Sequence, residues 1–257
     1  MTFIKVFLCC GSFLSYAFAQ ESLLSKPQST TSDATEYEAS LQKDPFEPLN
    51  RSVLKFNHVV DGMVLKPLST VYHTLLPSPA RVGISNTLNN LKTPVIALNM
   101  CLQGEGRKAS RTLGRFLVNS TLGIGGLFDI ASRMGLRSET TDFDQTMAKG
   151  GIPSGPYLVL PVLGPSTPRA LAGHIMEVII DPFNRIMIHT DHRNYIYDRA
   201  GIQIIATREQ SQNLIDVLES DSYMYETMRN LYMQKLKANV DKPETTPYQG
   251  PKPSDSW

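Results

Sequence analysis

Apolar side chains recur at helical spacing near the start of the chain. Five large apolar residues follow one another at intervals of four, three, four and three positions: Leu49, Val53, Phe56, Val60 and Met63. Because an α-helix has 3.6 residues per turn, these side chains share one face. The pattern predicts an amphipathic helix over about 47–64 with one apolar stripe.

Proline directly after a small polar residue marks further helix starts. The pairs are Ser78–Pro79, Thr93–Pro94 and Thr167–Pro168. A Ser or Thr caps the first free N–H groups of a helix, and proline pre-sets the backbone of the first turn. Three helices are therefore predicted to begin at these pairs, and Asp181–Pro182 is predicted to end the third one.

Helical spacing continues in the rest of the chain. Ala109, Leu113 and Phe116 fall on one face of a predicted helix. No clear run of residues shows the alternating pattern of a half-buried strand. The predicted fold class is therefore mainly α, with further helices at about 105–119, 191–219 and 222–237.

One segment is apolar and yet unable to form a helix. Residues 150–167 include no charged side chain after Gly150, and prolines recur every few positions from Pro153 to Pro168. Because proline removes a helical hydrogen bond and clashes with the preceding turn, the stretch "YLVLPVL" is predicted to be extended. Such a backbone is tolerated where protein covers it or where it lines a cavity. Two interpretations stay open: a buried loop of an ordinary core, or the wall of a passage through a membrane-seated protein.

The first nineteen residues have the pattern of an export signal. The apolar run "VFLCCGSFLSYAF" follows a basic residue and ends at the cleavage sequence Ala17–Phe18–Ala19. We predict a cleaved signal peptide at 1–19. The alternative of a lipidated Cys9 or Cys10 is disfavoured, because the apolar run continues past both residues.

The segments on either side of the predicted helices are polar. Residues 20–43 are rich in Ser, Thr, Gln and Glu, and residues 238–257 are polar and proline-rich. Both compositions are typical of disordered chain. We predict a disordered linker at 20–43, one helical domain at 44–237, and a disordered tail at 238–257.

The overall charge argues against one class of partner. The chain has 257 residues and a formal net charge of +1. A nearly neutral chain lacks the basic field that holds nucleic acid, so nucleic-acid binding is not expected. Signal cleavage would leave Cys101 as the remaining cysteine, which excludes an intrachain disulfide. Its apolar neighbours predict a buried thiol that acts as a small hydrophobic group.

Catalytic and cofactor motifs are weak or missing in the sequence. His189 and His192 form a tight pair, but no third ligand has a matching spacing. The string around Ser154 does not match G-x-S-x-G, and "GIGG" at 123–126 does not match a nucleotide-binding loop, so it predicts a tight turn. No cofactor, metal or catalytic group is expected, and the chain is not predicted to be an enzyme.

Three arginines share a helical face. Arg107, Arg111 and Arg115 are four positions apart, with Lys108 at the edge of the face. Guanidinium groups suit phosphate, so these side chains could bind lipid headgroups. An ordinary solvated face explains the spacing equally well, and both interpretations stay open.

Several long motifs together resemble the MlaA/VacJ family of outer-membrane phospholipid-transport proteins. They are "DPFEPLNRSVLKFNHVVD", "KPLSTVYHTLLPSPARVGISNTLNNLKTPVIALNMCLQG", "RFLVNSTLGIGGLFDIA" and "SGPYLVLPVLGPSTPR", which stand in the order that the family has. The resemblance covers about residues 44–235.

The resemblance implies a ring-like arrangement of amphipathic helices around a central channel, seated in the inner leaflet of the outer membrane. A member of this family would be a passive conduit. It would remove phospholipid that has strayed into the outer leaflet and hand it to a soluble periplasmic carrier, thereby maintaining lipid asymmetry. An ATP-driven inner-membrane complex would lie beyond that carrier, and a trimeric porin would be a further partner.

This chain departs from the family pattern at three positions. Gln20 stands at the predicted cleavage point, where many members carry a lipidated cysteine. Asp144 stands where glycine is usual, and Ala170 stands where aspartate is common. The first departure puts covalent anchoring in doubt, so seating in the membrane would depend on the protein surface.

These observations give a set of candidate lipid-binding or channel residues: Asn57, Arg111, Arg115, Tyr157, Leu158, Leu160 and Leu163. Apolar stripes at about 47–64 and 168–180 are expected to face lipid. Two other functions remain as alternatives. One is a soluble periplasmic helical binding or scaffold module, and the other is a lipid-acting hydrolase.

Overall fold

The computed structural model describes residues 44–219 and 223–240. These residues form α-helices, one π-helical turn and one two-stranded antiparallel sheet, so the predicted mainly α class is confirmed. The predicted signal peptide and linker lie outside the described residues. The helices are α1 (Glu47–Val60), α2 (Lys66–Leu75), α3 (Ser78–Leu102), α4 (Gly106–Thr121), α5 (Ile130–Arg133), α6 (Phe143–Lys149), α7 (Pro168–Ile180), α8 (Pro182–His189), α9 (Asn194–Gln210), α10 (Gln212–Glu219) and α11 (Met224–Val240).

The predicted amphipathic helix at the start of the domain is confirmed as α1, and the helical path continues beyond it. A π-helical turn, Asp61–Leu65, joins α1 to α2. Asp61 is buried in that turn, and its carboxylate accepts two hydrogen bonds from Arg208 of α9, at 2.7 and 2.9 Å. The π turn therefore lies where a buried ion pair forms, and irregular turns of this kind often occur at such special sites.

The second predicted cap-proline start, Thr93–Pro94, is wrong. Ser78–Pro79 begins α3 as expected, but α3 runs unbroken from Ser78 to Leu102 with Pro94 inside it. Proline costs the helix one backbone hydrogen bond. We attribute its continuation to packing, because α3 makes its most extensive contacts with α4.

The glycine-rich string after α4 forms the predicted tight turn. Ile124, Gly125 and Gly126 all have positive φ angles, of 53°, 68° and 92°. A Cβ added to Gly126 would lie 2.5 Å from the Cβ of Asn90 on α3. Glycine is therefore required at 126 by both backbone conformation and close packing.

The proline-rich segment is extended, as predicted, but it is also paired. Strands β1 (Leu158–Leu160) and β2 (Gly164–Ser166) form an antiparallel hairpin, with Val159 opposite Pro165. The chain turns through Val162 and Gly164, whose φ angles are 65° and 75°. The strands were not predicted because each one is three residues long and prolines interrupt the alternation.

The later helices differ from prediction at their boundaries. Thr167–Pro168 begins α7 as expected, but Pro182 also begins a helix, α8, because the Asp181 side chain accepts from Phe183 N at 2.9 Å and caps it. The long helix predicted over 191–219 is two helices, which meet at Ser211. Helix α11 extends to Val240, into the segment predicted as tail.

The two ends of the described chain meet in an ordinary apolar cluster. Its buried members come from α1, the hairpin, α10 and α11: Leu54, Tyr157, Val159, Leu218, Tyr225 and Met228. Asp44, just before α1, accepts hydrogen bonds from Asn50 at 2.8 Å and from the hydroxyl of Tyr225. Arg51 also reaches Glu226 at 2.5 Å. These contacts fasten the first helix to the last.

Several helices bury polar side chains while they expose large apolar ones. On α1 the exposed side chains include Leu49, Phe56 and Val59, whereas Asn50 is buried. On α4 the buried set consists of Ala109, Thr112, Arg115 and Asn119, while Leu113 and Leu117 are exposed. Soluble proteins usually bury their large apolar side chains. The distribution is inverted here.

The prediction that the Cys101 thiol is buried is wrong. The thiol is exposed, and Leu98 and Leu102 on the same helix are also exposed. The apolar run around Cys101 predicted burial because apolar residues normally lie inside. That inference fails here because Cys101 lies on the same exposed face of α3 as Leu98 and Leu102.

No helix in residues 44–219 or 223–240 combines the length and the apolar character needed to cross a bilayer.

Candidate functional site

A cavity of about 130 Å³ lies where several helices meet. Helices α3, α7, α9 and α11 and the residues at the start of α6 supply most of its walls. The polar and charged lining residues are Lys92, Thr141, Asp142, Asp144, His174, Glu177, Asp181, Asn184, Arg199, Gln203, Tyr232, Lys235 and Asn239. We refer to this space as the charged cavity.

Close contact between α6 and α7 brings two carboxyl groups together in the charged cavity. A Cβ added to Gly173 of α7 would lie 2.8 Å from the backbone nitrogen of Asp144, so glycine permits this approach. One turn further along α7, Glu177 Oε1 accepts from Phe143 N at 2.8 Å. Asp142 caps the same end of α6 by accepting from Gln145 N at 2.8 Å.

Burial changes the acid–base behaviour of these groups. Burial raises the pKa of Glu177 to about 8, and the nearby Asp142 carboxyl contributes to the increase. The pKa of Asp142 is also raised, first by burial and then by repulsion from Asp144. Across the cavity, burial and the neighbouring Arg199 lower the pKa of Lys92 to about 8. The cavity therefore holds partly desolvated groups of both signs.

Two ion pairs fix the rim of the charged cavity. Arg169 bonds Asp144 at 2.7 Å and also donates to the carbonyl of Ile152 at 2.7 Å. Arg199 bonds Asp181 at 2.7 Å, and both partners are largely buried. Pairs of this kind are costly to break because one charge is then left buried without its partner.

A second, smaller cavity of about 80 Å³ has mainly apolar walls. Helices α1, α10 and α11 and the hairpin surround it. Its apolar lining includes Leu54, Val60, Leu65, Ile215, Leu218, Met224 and Met228. We refer to it as the apolar cavity. Pro165 of β2 lines both cavities, so one strand separates them.

The structure places Asn57 against the hairpin backbone. Its amide donates to the carbonyl of Leu160 at 3.0 Å and accepts from Val162 N at 2.6 Å. Asn50, two turns earlier, makes the equivalent pair of bonds, to Tyr157 O at 3.2 Å and from Val159 N at 2.8 Å. Asn57 borders the apolar cavity, but its polar atoms hold the hairpin.

The four predicted hairpin residues are divided between the core and the surface of the hairpin. Tyr157 is in the apolar cluster, 6.1 Å from the ring of Tyr225, and Leu163 is buried. Leu158 and Leu160 are half-buried. None of the four lines the charged cavity or the apolar cavity. For Tyr157 the structure favours the core interpretation that the sequence left open.

The two predicted arginines have different environments. Arg111 is exposed and lies 3.5 Å from Glu139. Arg115 is buried and donates to both Asp129 carboxylate oxygens, at 3.0 and 3.1 Å, and to the carbonyl of Leu136. The interpretation of these arginines as an ordinary solvated face is wrong for Arg115, whose guanidinium is buried against Asp129, and its role as a headgroup-binding residue stays a prediction.

The weak motifs gain no support from the geometry. His189 and His192 are exposed, and no group of three metal-ligating side chains occurs in residues 44–219 and 223–240. The Ser154 hydroxyl donates to the carbonyl of its neighbour Gly155 at 3.3 Å.

Sequence reasoning missed the residues of the charged cavity. Lys92, Asp142, Glu177 and Gln203 belong to four different segments that meet only in the fold. One signal was available: Glu177 is the single carboxylate in the apolar helical run "IMEVII". An acidic residue in such a run is costly to bury without a partner, which points to an internal polar site.

The chain matches a known family over most of its length. The matching family is described as MlaA lipoprotein, and the match covers residues 42–239. An uncharacterised protein of Rickettsia typhi is 33% identical over 213 residues, which are 82% of this chain and 83% of that protein. The intermembrane phospholipid transport system lipoprotein MlaA of Haemophilus influenzae is 31% identical over 208 residues, covering 79% and 82% of the two chains.

A solved structure is also similar. It concerns the structural basis for maintenance of bacterial outer membrane lipid asymmetry, and it aligns with a TM-score of 0.68 at 28% identity. The alignment covers 78% of this chain and all of the other. Fold and sequence therefore agree with the resemblance in the motifs, and the chain belongs to the MlaA family.

Proposed function

We propose that this chain is a passive phospholipid conduit of the outer membrane that contributes to the maintenance of lipid asymmetry. Its apolar helical faces contact acyl chains in the inner leaflet, and its polar interior receives headgroups. The relative in Haemophilus influenzae is named as part of an intermembrane phospholipid transport system, which supports phospholipid as the cargo.

One observation carries the proposal: large apolar side chains are exposed while charged ones are buried. Met63 and Leu75 are each 74% exposed, and Arg208 is 0% exposed. A surface of this kind is unfavourable in water and favourable among acyl chains, at about 25 cal/mol per Å² of apolar area removed from water. The same inversion counts against a soluble scaffold module.

The energetics of lipid movement favour a sheltered route. Burial of one acyl CH₂ group is worth about 0.8 kcal/mol, so moving two sixteen-carbon chains into water costs on the order of 24 kcal/mol. A conduit in contact with the leaflet keeps the tails out of bulk water throughout the transfer. It needs no covalent chemistry of its own.

We also propose the arrangement, partners and export route that the family resemblance and the N-terminal sequence imply. The helices are arranged as a ring, and the charged cavity is part of its central channel. A trimeric porin holds the protein in place, and a soluble periplasmic carrier accepts the lipid. A cleaved signal peptide directs export.

Vesicle flotation with the mature chain tests the membrane seat. Met63→Asp places a charge on the exposed apolar face of the π turn. Asn213→Asp, at an exposed polar position of α10, is the matched control. We expect wild type and N213D to float with phospholipid vesicles, and M63D to bind about tenfold less, because an aspartate among acyl chains is costly.

Lipid transfer tests the conduit itself. Wild type should accelerate phospholipid movement between donor and acceptor vesicles, and M63D should do so less. If the wild-type chain ignores vesicles and retains no phospholipid, the soluble-module alternative is correct instead. Release of fatty acid from phospholipid would identify the hydrolase alternative.

A further inference from the structure

The charged cavity presents charges of both signs along its walls. Asp142 and Glu177 lie together where α6 meets α7, and Lys92 and Lys235 complete the charged lining from α3 and α11. The two other carboxylates of the lining, Asp144 and Asp181, are paired with arginines at 2.7 Å each. The carboxyl pair and the two lysines therefore face one small space.

The two carboxyl groups would repel one another when both are ionised. Glu177 accepts a hydrogen bond from Phe143 N at 2.8 Å, and Asp142 is engaged as a helix cap. Their pKa values are raised, first by burial and then by neighbouring carboxylates, even though Lys92 and Lys235 act in the opposite direction. A cation that enters between the two carboxyl groups would favour their ionised forms and offset the repulsion between them.

An acceptor in the same cavity points to a ligand with N–H groups. Gln203 of α9 is 8% exposed, and its Nε2 donates to Thr207 Oγ1 at 3.3 Å. Within the described residues no donor reaches its Oε1, which is buried. A buried acceptor without a partner is unfavourable, so a ligand that donates to it gains affinity.

We propose that Asp142, Glu177 and Gln203 form a subsite for the primary ammonium of a zwitterionic phospholipid headgroup, with Lys92 and Lys235 on the side of its phosphate. This inference rests on the proposed conduit function. An ethanolamine headgroup supplies both the positive charge and the N–H donors. A choline headgroup has the charge but no N–H, and a glycerol headgroup has no positive charge.

Competition between headgroups tests the subsite. The mature chain is equilibrated in mixed micelles that contain equal amounts of phosphatidylethanolamine, phosphatidylcholine and phosphatidylglycerol with identical acyl chains. Mass spectrometry then counts the lipids that the purified protein retains. We expect ethanolamine lipid to exceed each of the others by about tenfold, the scale of one charge-assisted hydrogen bond.

Substitutions in the charged cavity test which side chains cause the preference for ethanolamine lipid. Glu177→Gln keeps the shape of the side chain but removes the carboxyl group that can ionise against an ammonium, and Asp142→Asn does the same while keeping a capping oxygen. Both should bring the retention ratios close to one. Gln203→Leu should reduce the preference for ethanolamine over choline. Glu139→Gln, outside the cavity beside Arg111, is the control and should retain the wild-type ratios.

The outcomes separate the two proposals. Equal retention of the three lipids by wild type overturns the subsite and leaves the conduit intact. A preference that persists in both folded variants, E177Q and D142N, also overturns it. Retention of no phospholipid by wild type overturns the conduit and the subsite together.

Discussion

Two parts of this molecule differ in how many charged side chains they bury. The apolar cluster around Tyr157 and Tyr225 is an ordinary core that fastens α1, the hairpin and α11. The region of α3, α6, α7 and α9 buries ions around the charged cavity and leaves leucine and isoleucine exposed. Apolar burial supplies stability in the first region, whereas matched charges satisfy the interior of the second.

The largest expected effect comes from a buried ion pair. Arg208→Met leaves Asp61 buried without its bidentate partner, which should lower the free energy of unfolding by about 4 kcal/mol. Adding Asp61→Leu should restore much of that loss, because neither charge is then stranded. Urea unfolding measures both variants. If the single and double variants are equally unstable, the loss is due to packing rather than to an unpaired charge.

A truncation in the apolar cluster should lower the free energy of unfolding by slightly less than Arg208→Met does. Tyr157→Ala removes a buried ring that contacts Tyr225 and Tyr232, at centroid distances of 6.1 and 5.8 Å. We expect a decrease of about 3 kcal/mol in the free energy of unfolding. Tyr223→Ala, which truncates a 70% exposed ring, should change it by less than about 0.5 kcal/mol. Similar losses in both variants would mean that this cluster is not a core.

The pH dependence of the free energy of unfolding should distinguish the charged cavity from the apolar cluster. In the folded state the Glu177 pKa is about 8, against an ordinary 4.5, so this group stabilises the fold fully below pH 4.5. That contribution is lost as the pH rises towards 8, because the unfolded chain releases a proton that the folded chain holds.

Glu177→Gln removes this linkage. At pH 8 the variant should exceed wild type by roughly 2 kcal/mol in the free energy of unfolding, and the difference should shrink towards pH 5. Urea unfolding at several pH values measures it, with Glu139→Gln as the control outside the cavity. A difference that does not vary with pH would show that Glu177 does not titrate in this window.

The smallest effect is expected where the two regions meet at the hairpin. Asn57→Ala removes the hydrogen bond to Leu160 O and the one from Val162 N. This loss should lower the free energy of unfolding by about 1 kcal/mol. Hydrogen exchange at the Val162 amide should increase, while exchange at Val159, which Asn50 holds, should change little. Unchanged exchange at Val162 would mean that Asn57 does not hold the turn.

Sequence patterns predicted the local features well. The spacing from Leu49 to Val60, the helix start at Ser78, the cap at Thr167 and the turn at 123–126 each depend on a few neighbouring residues. Long motifs also identified the family, which the comparisons confirm. The prediction at Pro94 failed because the packing of α3 against α4 is not visible locally. The solvated-face interpretation failed for Arg115 because its partner, Asp129, lies outside its own helix.

The interior of the domain could not be predicted from local patterns. An apolar stripe normally indicates which face of a helix is buried, and the expectation for Cys101 failed on that assumption. The stripe of α1 was expected to face lipid because the family resemblance reversed the usual interpretation. The charged cavity draws on separated segments, so no spacing in the sequence brings Lys92 near Glu177.

Pro165 of β2 lines both cavities, so one strand forms part of both walls. A displacement of β2 would therefore alter the shape of both cavities together. Under the proposed conduit function, a lipid that displaced this strand from one cavity would change the space available in the other.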